Sequence, residues 1–167
     1  MVSYDDAGIV RIAEYVQQLA EEQTPLTLHV LGEPMARADQ PAYLNAVLLV
    51  AADVPALAWL GRAQDVEKAA GRIRNPARRF GPRSLDVDVI AVWEDDGRPV
   101  LSDDVELTLP HPRAHLRAFV LRPWLDIAPY AELPGHGRVV DLLRREPVAS
   151  DLASLVRQPT LDLDARP

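Results

Sequence analysis

A chain of 167 residues, 48% of them hydrophobic and 26% charged, has the make-up of one soluble globular domain able to bury a core. The absence of cysteine excludes disulfides, thiolate metal sites and cysteine nucleophiles, and no apolar run approaches the roughly 20 residues that span a bilayer. A formal net charge of −7 argues against a nucleic-acid binder, whose footprint is an extended basic stripe.

Asp5 or Asp6 suits the cap of a helix whose apolar residues Ile9, Ile12, Ala13, Val16, Leu19 and Ala20 recur every three or four positions. Met1 to Asp6 lacks the basic-then-apolar order of a signal peptide, so the expected location is the cytoplasm. Pro25 lies past the helix, and Leu26–Leu31 is a predicted strand. Gly32 to Asp39 is a loop by its Gly and Pro. Tyr43–Val50 is the next strand. Asp53 suits an N-cap, with Pro55 inside the first turn of a helix running to about Ala70. On that helix Gln64 and Glu67, three apart, project from one side. A strand is predicted from Leu85 to about Trp93, and Asp95-Asp96-Gly97 marks a turn. Leu107–Leu109 is a short strand ending at Pro110. From Pro112 a helix runs through Arg117 and Phe119, with Pro123 kinking or ending it. The last 20 residues hold another helix start, and a polar tail is expected from about residue 150. Helices alternating with strands and hairpin-like pairs predict an α+β sandwich over the single domain 1–167, one sheet covered by helices on one face.

Chemistry concentrates between Gly71 and Ile90. Arg72, Arg74, Arg78, Arg79 and Arg83 fall within twelve residues of an acidic protein, and Asp86 and Asp88 follow. A basic run by itself is usually a solvated face or a nonspecific nucleic-acid patch. Here the order matters: arginines, then Phe80-Gly81-Pro82 as a turn, then a strand carrying two acids. Residues two apart on a strand share a face, so both carboxylates face one way and Val87 and Val89 the other. Guanidinium groups hold phosphate oxygens bidentately, and paired carboxylates suit Mg²⁺ bridging protein to phosphate. The first reading is therefore a polyphosphate with magnesium.

The run from Arg79 to Ile90 resembles the signature of the 6-hydroxymethyl-7,8-dihydropterin pyrophosphokinase family. Asp39 to Ala46, Gln64-Asp65-Val66-Glu67, and Leu107 to Pro112 with Arg117-Ala118-Phe119 agree in order and spacing. The resemblance covers about Asp39 to Pro134. It implies a ferredoxin-like fold and transfer of pyrophosphate from ATP to a reduced pterin, leaving AMP. Asp86 and Asp88 would hold two Mg²⁺ ions. Arg72 and Arg83 would share the catalytic role with those acids. Arg74, Arg79, Gln64, Glu67, Thr108, His111 and Arg117 would bind ATP, although Gln64 and Glu67 also suit an exposed helix face. Tyr43, Asn45, Phe80 and Phe119 would form the pterin pocket, where stacking and an amide suit a flat aminopyrimidinone; Tyr43 and Phe119 equally suit a sheet–helix core. The partners implied are small molecules, with no nucleic acid, no membrane and a monomeric chain.

Three features depart from the family pattern. No Gly-Ser-Asn triplet precedes the first helix, the loop from Leu31 to Asp39 lacks the usual Thr-Pro or Asp-Pro step, and position 106 is Glu where some members have Arg. These leave open a truncated folate enzyme, a paralogue acting on another small alcohol, or a non-catalytic ATP-binding relative.

Overall fold

The computed structural model describes residues 29–33, 43–50, 54–69 and 85–157. The chain forms two compact units, one of Met1–Pro25 with Val50–Val89 and one of Leu26–Leu49 with Ile90–Pro167. The described elements are helices and short antiparallel strands, an α+β protein. No helix among the described residues is long and apolar enough to cross a membrane. The predicted helix at residues 5–20 and the arginine loop lie outside the described residues.

In the first unit, helix α1 spans Ala56–Ala69. Pro55 stands just ahead of it, its carbonyl accepting from the Ala58 N–H at 2.8 Å, and the helix that follows is rich in Ala and Leu, strong helix formers. Ala63, Val66 and Glu67 are its buried positions, at the spacing of three and four that defines one helical face. Residues 85–89 keep the alternation expected of a strand, with Leu85, Val87 and Val89 half-buried and Asp86 and Asp88 exposed. Among the described residues they carry no strand, and the Val87 N–H donates to the Glu67 carboxylate at 3.0 Å. Alternation needs only an extended backbone, whereas a strand also needs a neighbour.

In the second unit, β1 (His29–Glu33) and β2 (Tyr43–Val47) pair antiparallel, His29 opposite Val47 and Glu33 opposite Tyr43. The strand runs through Gly32 and Glu33, where the sequence predicts a loop, because both residues find partners on β2. Two small antiparallel pairs follow, β3 (Ser102–Asp103) with β4 (Thr108–Leu109), and β5 (Glu132–Leu133) with β6 (Gly137–Arg138). Residues 90–93, the rest of the predicted strand, make isolated bonds only. The Ile90 and Val92 carbonyls accept from His111 and Val100, and Trp93 bridges to Pro99. The turn at Asp95-Asp96-Gly97 is present, with Gly97 at a φ of 81° that glycine adopts without steric cost.

The predicted helix from Pro112 is broken in two. A 3₁₀ turn covers Ala114–Leu116, Arg117 is extended, and helix α2 then spans Ala118–Ile127. Pro123 lies inside α2 and does not end it. Proline removes one backbone donor, and this ring is fully buried. Ala118, Leu121 and Trp124 lie on the inward stripe of α2 and pack with Leu133, Val139, Leu142, Leu143 and Val148. Trp93 meets Trp124 edge-on at 6.1 Å, a favoured aromatic geometry. Helices α3 (Val139–Leu142) and α4 (Val148–Leu152) follow, and β7 (Val156–Arg157) joins the free edge of β1, giving the order β2-β1-β7. The chain is thus folded through Arg157, past the point where the polar tail is expected.

Candidate active site

The two acids sit at the end of the first unit. Asp86 and Asp88 are exposed and flank the half-buried Val87, so their carboxylates lie on the solvent side of an extended segment. Glu67 reaches that segment from α1. It is 4% exposed, and its Oε1 accepts from the Val87 N–H. Gln64, one turn earlier on α1, is half-buried. No group of three or more metal-ligating side chains occurs among the described residues. Two carboxylates nevertheless fit Mg²⁺, which takes one or two from protein and completes its shell with water and phosphate oxygens.

The second unit carries the remaining described candidates. Thr108 lies on β4, and its hydroxyl donates to the Asp104 carbonyl at 3.0 Å. His111 is fixed twice, its N–H donating to Ile90 O at 2.8 Å and its Nδ1 accepting from the Arg113 N–H at 3.2 Å. With Nδ1 an acceptor, the neutral ring carries its proton on Nε2 and presents a donor there. Arg117 occupies the N-cap of α2 with φ −119° and ψ 103°, and its guanidinium stands 5.5 Å from the centre of the Phe119 ring. An Arg assigned to ATP and an aromatic assigned to pterin are thus held together by a cation–π contact. Asn45 is half-buried on β2 opposite Leu31, and Val47, two residues along, packs against the core. Tyr43 begins β2 opposite Glu33. Arg72, Arg74, Arg79, Phe80 and Arg83 lie outside the described residues.

The sequence pattern of the 7,8-dihydro-6-hydroxymethylpterin-pyrophosphokinase family matches residues 7–129. The chain belongs to this family. A 2-amino-4-hydroxy-6-hydroxymethyldihydropteridine pyrophosphokinase of Mycobacterium tuberculosis is 44% identical over 146 residues, covering 81% of this chain and 75% of that protein. The protein of the same name from Mycobacterium leprae is 47% identical over 121 residues, 68% of this chain and 62% of its own length. That of Pseudomonas aeruginosa is 35% identical over 113 residues, covering 68% and 65%. Family membership makes this chain an enzyme.

Every residue assigned to a ligand falls within the family match, but two features that shape the second unit do not lie wholly inside it. Asp151 Oδ2 accepts from the Ala118 N–H at 3.2 Å, supplying a partner to the start of α2, whose own N-cap offers no side-chain bond. His115 and His136 stack with ring centres 4.0 Å apart and planes 12° from parallel. Neither contact has a local signal. Asp151 is separated from Ala118 by 33 positions, and nothing in the text between them links the two. The Glu67–Val87 bond spans 20 positions and is equally invisible in local spacing.

Proposed function

We propose that this enzyme transfers the pyrophosphoryl group of ATP to the hydroxymethyl oxygen of 6-hydroxymethyl-7,8-dihydropterin in folate synthesis. The pterin hydroxyl oxygen attacks the β-phosphorus, the bond from that phosphorus to the α–β bridging oxygen breaks, and AMP departs while the hydroxyl loses its proton. The observation that carries this reading is the exposed Asp86/Asp88 pair, directly after five arginines, in a chain of this family. Such chemistry asks a protein mainly for positioning and charge stabilisation.

Asp86 and Asp88 would hold magnesium, two ions being expected, which when bound offsets phosphate charge. Arg72, Arg74, Arg79 and Arg83 clamp the triphosphate, where planar guanidinium forks match phosphate oxygens. Thr108, His111 through its Nε2 donor, and Arg117 hold the nucleotide. Tyr43, Asn45, Phe80 and Phe119 orient the pterin so that its hydroxymethyl oxygen meets the phosphorus in line. The Arg117–Phe119 contact supports this reading, since it holds a candidate phosphate-binding guanidinium beside a candidate stacking ring. The ferredoxin-like sandwich, a monomeric state and a cytoplasmic location complete the reading.

Incubation with Mg²⁺, ATP and 6-hydroxymethyl-7,8-dihydropterin, followed by nucleotide quantification, tests it. AMP formed in proportion to pyrophosphorylated pterin is the expected result. ADP as the product would overturn pyrophosphoryl transfer, and ATP binding without turnover would mean a changed or lost acceptor.

A further inference from the structure

We infer that Glu67 is a positioning residue for the Asp86/Asp88 pair rather than a contact to the nucleotide. The inference rests on the proposed role of those two acids at the phosphates.

Glu67 is the one charged side chain buried among the described residues, at 4% exposure. Burying a carboxylate is costly unless its oxygens are hydrogen-bonded, and one of them accepts from the Val87 N–H at 3.0 Å. A backbone bond to a carboxylate is charge-assisted and stronger than a neutral one. Its location gives it leverage. Val87 lies between the two acids in the sequence, and this bond ties it to α1. Side chains alternate along an extended backbone, so fixing the Val87 amide fixes the rotation of the segment about its own axis, with half-buried Val87 on one side and exposed Asp86 and Asp88 together on the other. A slip of one residue would exchange the faces and put an apolar side chain where carboxylates are needed. α1 thereby orients the acid pair without touching the ligand, as outer-shell partners do at metal sites.

Direct nucleotide contact and positioning give different signatures. Binding of a nonhydrolysable ATP analogue is measured with and without Mg²⁺, alongside AMP formation, for the parent, Glu67→Gln, Glu67→Asp and Glu67→Ala. Glu67→Gln keeps an acceptor for the Val87 N–H and should stay close to the parent. Glu67→Asp keeps the charge but draws it back by one carbon. In Glu67→Asp and Glu67→Ala the Mg²⁺ midpoint should rise and kcat should fall, each by about 10- to 100-fold, with Mg²⁺-free nucleotide affinity unchanged. Loss of Mg²⁺-free affinity with an unaltered Mg²⁺ midpoint would overturn the inference in favour of nucleotide contact. Parent-like Mg²⁺ midpoints in all three variants would overturn it in favour of a purely structural glutamate.

Amide hydrogen exchange in the parent chain supplies a readout independent of any variant's folding. The Val87 amide should be protected relative to those of Asp86 and Asp88, and rapid exchange at Val87 would overturn the inference. Failure of the pyrophosphokinase reading would show separately, as a parent that binds Mg·ATP analogue yet makes no AMP.

Discussion

Asp86 and Asp88 are exposed acids on a backbone tied down between them, which separates what they do for stability from what they do for ligands. Neither carboxylate faces the core, so Asp86→Ala and Asp88→Ala should each leave the melting temperature nearly unchanged, as surface substitutions usually do. Each should reduce AMP formation by several kcal/mol of transition-state stabilisation, on the order of a thousandfold or more. Initial rates at saturating Mg²⁺ together with thermal melts check both halves. Near-parental rates in both variants would contradict the metal assignment. The shared facing of these acids was legible in the sequence because period two requires nothing but an extended chain. The role of Glu67 was not, because a side-chain bond to a backbone 20 positions away leaves no trace in local spacing.

At the scale of elements, α2 shows how a helix can be legible in kind and illegible in its limits. Its apolar stripe at Ala118, Leu121 and Trp124 follows the helical period. Its start at Ala118 and its passage through Pro123 do not. Local propensity places a helix from Pro112 with a kink or end at Pro123, whereas the helix starts after the extended Arg117 and carries the buried Pro123 inside it. Gly32 is the parallel case in the sheet, where pairing with β2 and β7 overrides a loop-forming residue. The start of α2 also depends on Asp151, which brings a negative charge and an acceptor to the positive end of the helix macrodipole. Asp151→Ala should therefore cost about 1 kcal/mol, read as a lower urea midpoint at an unchanged m-value. Because Arg117 and Phe119 sit on that first turn, the same variant should raise KM for its ligands more than it lowers kcat. An unchanged urea midpoint would show that the Ala118 bond contributes no net stability.

For the molecule as a whole, stability should fall on acidification, and His136 should set where the fall begins. Burial, and secondarily the charge of His115, holds the pKa of His136 below its usual value. A histidine depressed in the folded state binds its proton more tightly when unfolded, so its contribution is fully present above the unfolded value of about 6.5 and is lost as pH drops through the folded one. Asp96 acts in the same direction lower down. The Arg98 side-chain hydrogen bond, then the Arg98 backbone bond, lowers its pKa, so its contribution is lost as pH falls below about 4. That pair is largely exposed, and exposed ion pairs contribute little. Meanwhile the net charge of −7 diminishes as carboxylates protonate, which relieves self-repulsion and opposes both losses. The contribution of His136 is separable because it begins to be lost at higher pH than carboxylates protonate. Melting temperatures recorded from about pH 7.5 to 5.5 should decline for the parent and decline less for His136→Gln, which retains a polar side chain of similar reach but takes up no proton. Identical slopes for the two proteins would show that proton uptake at His136 is not coupled to unfolding.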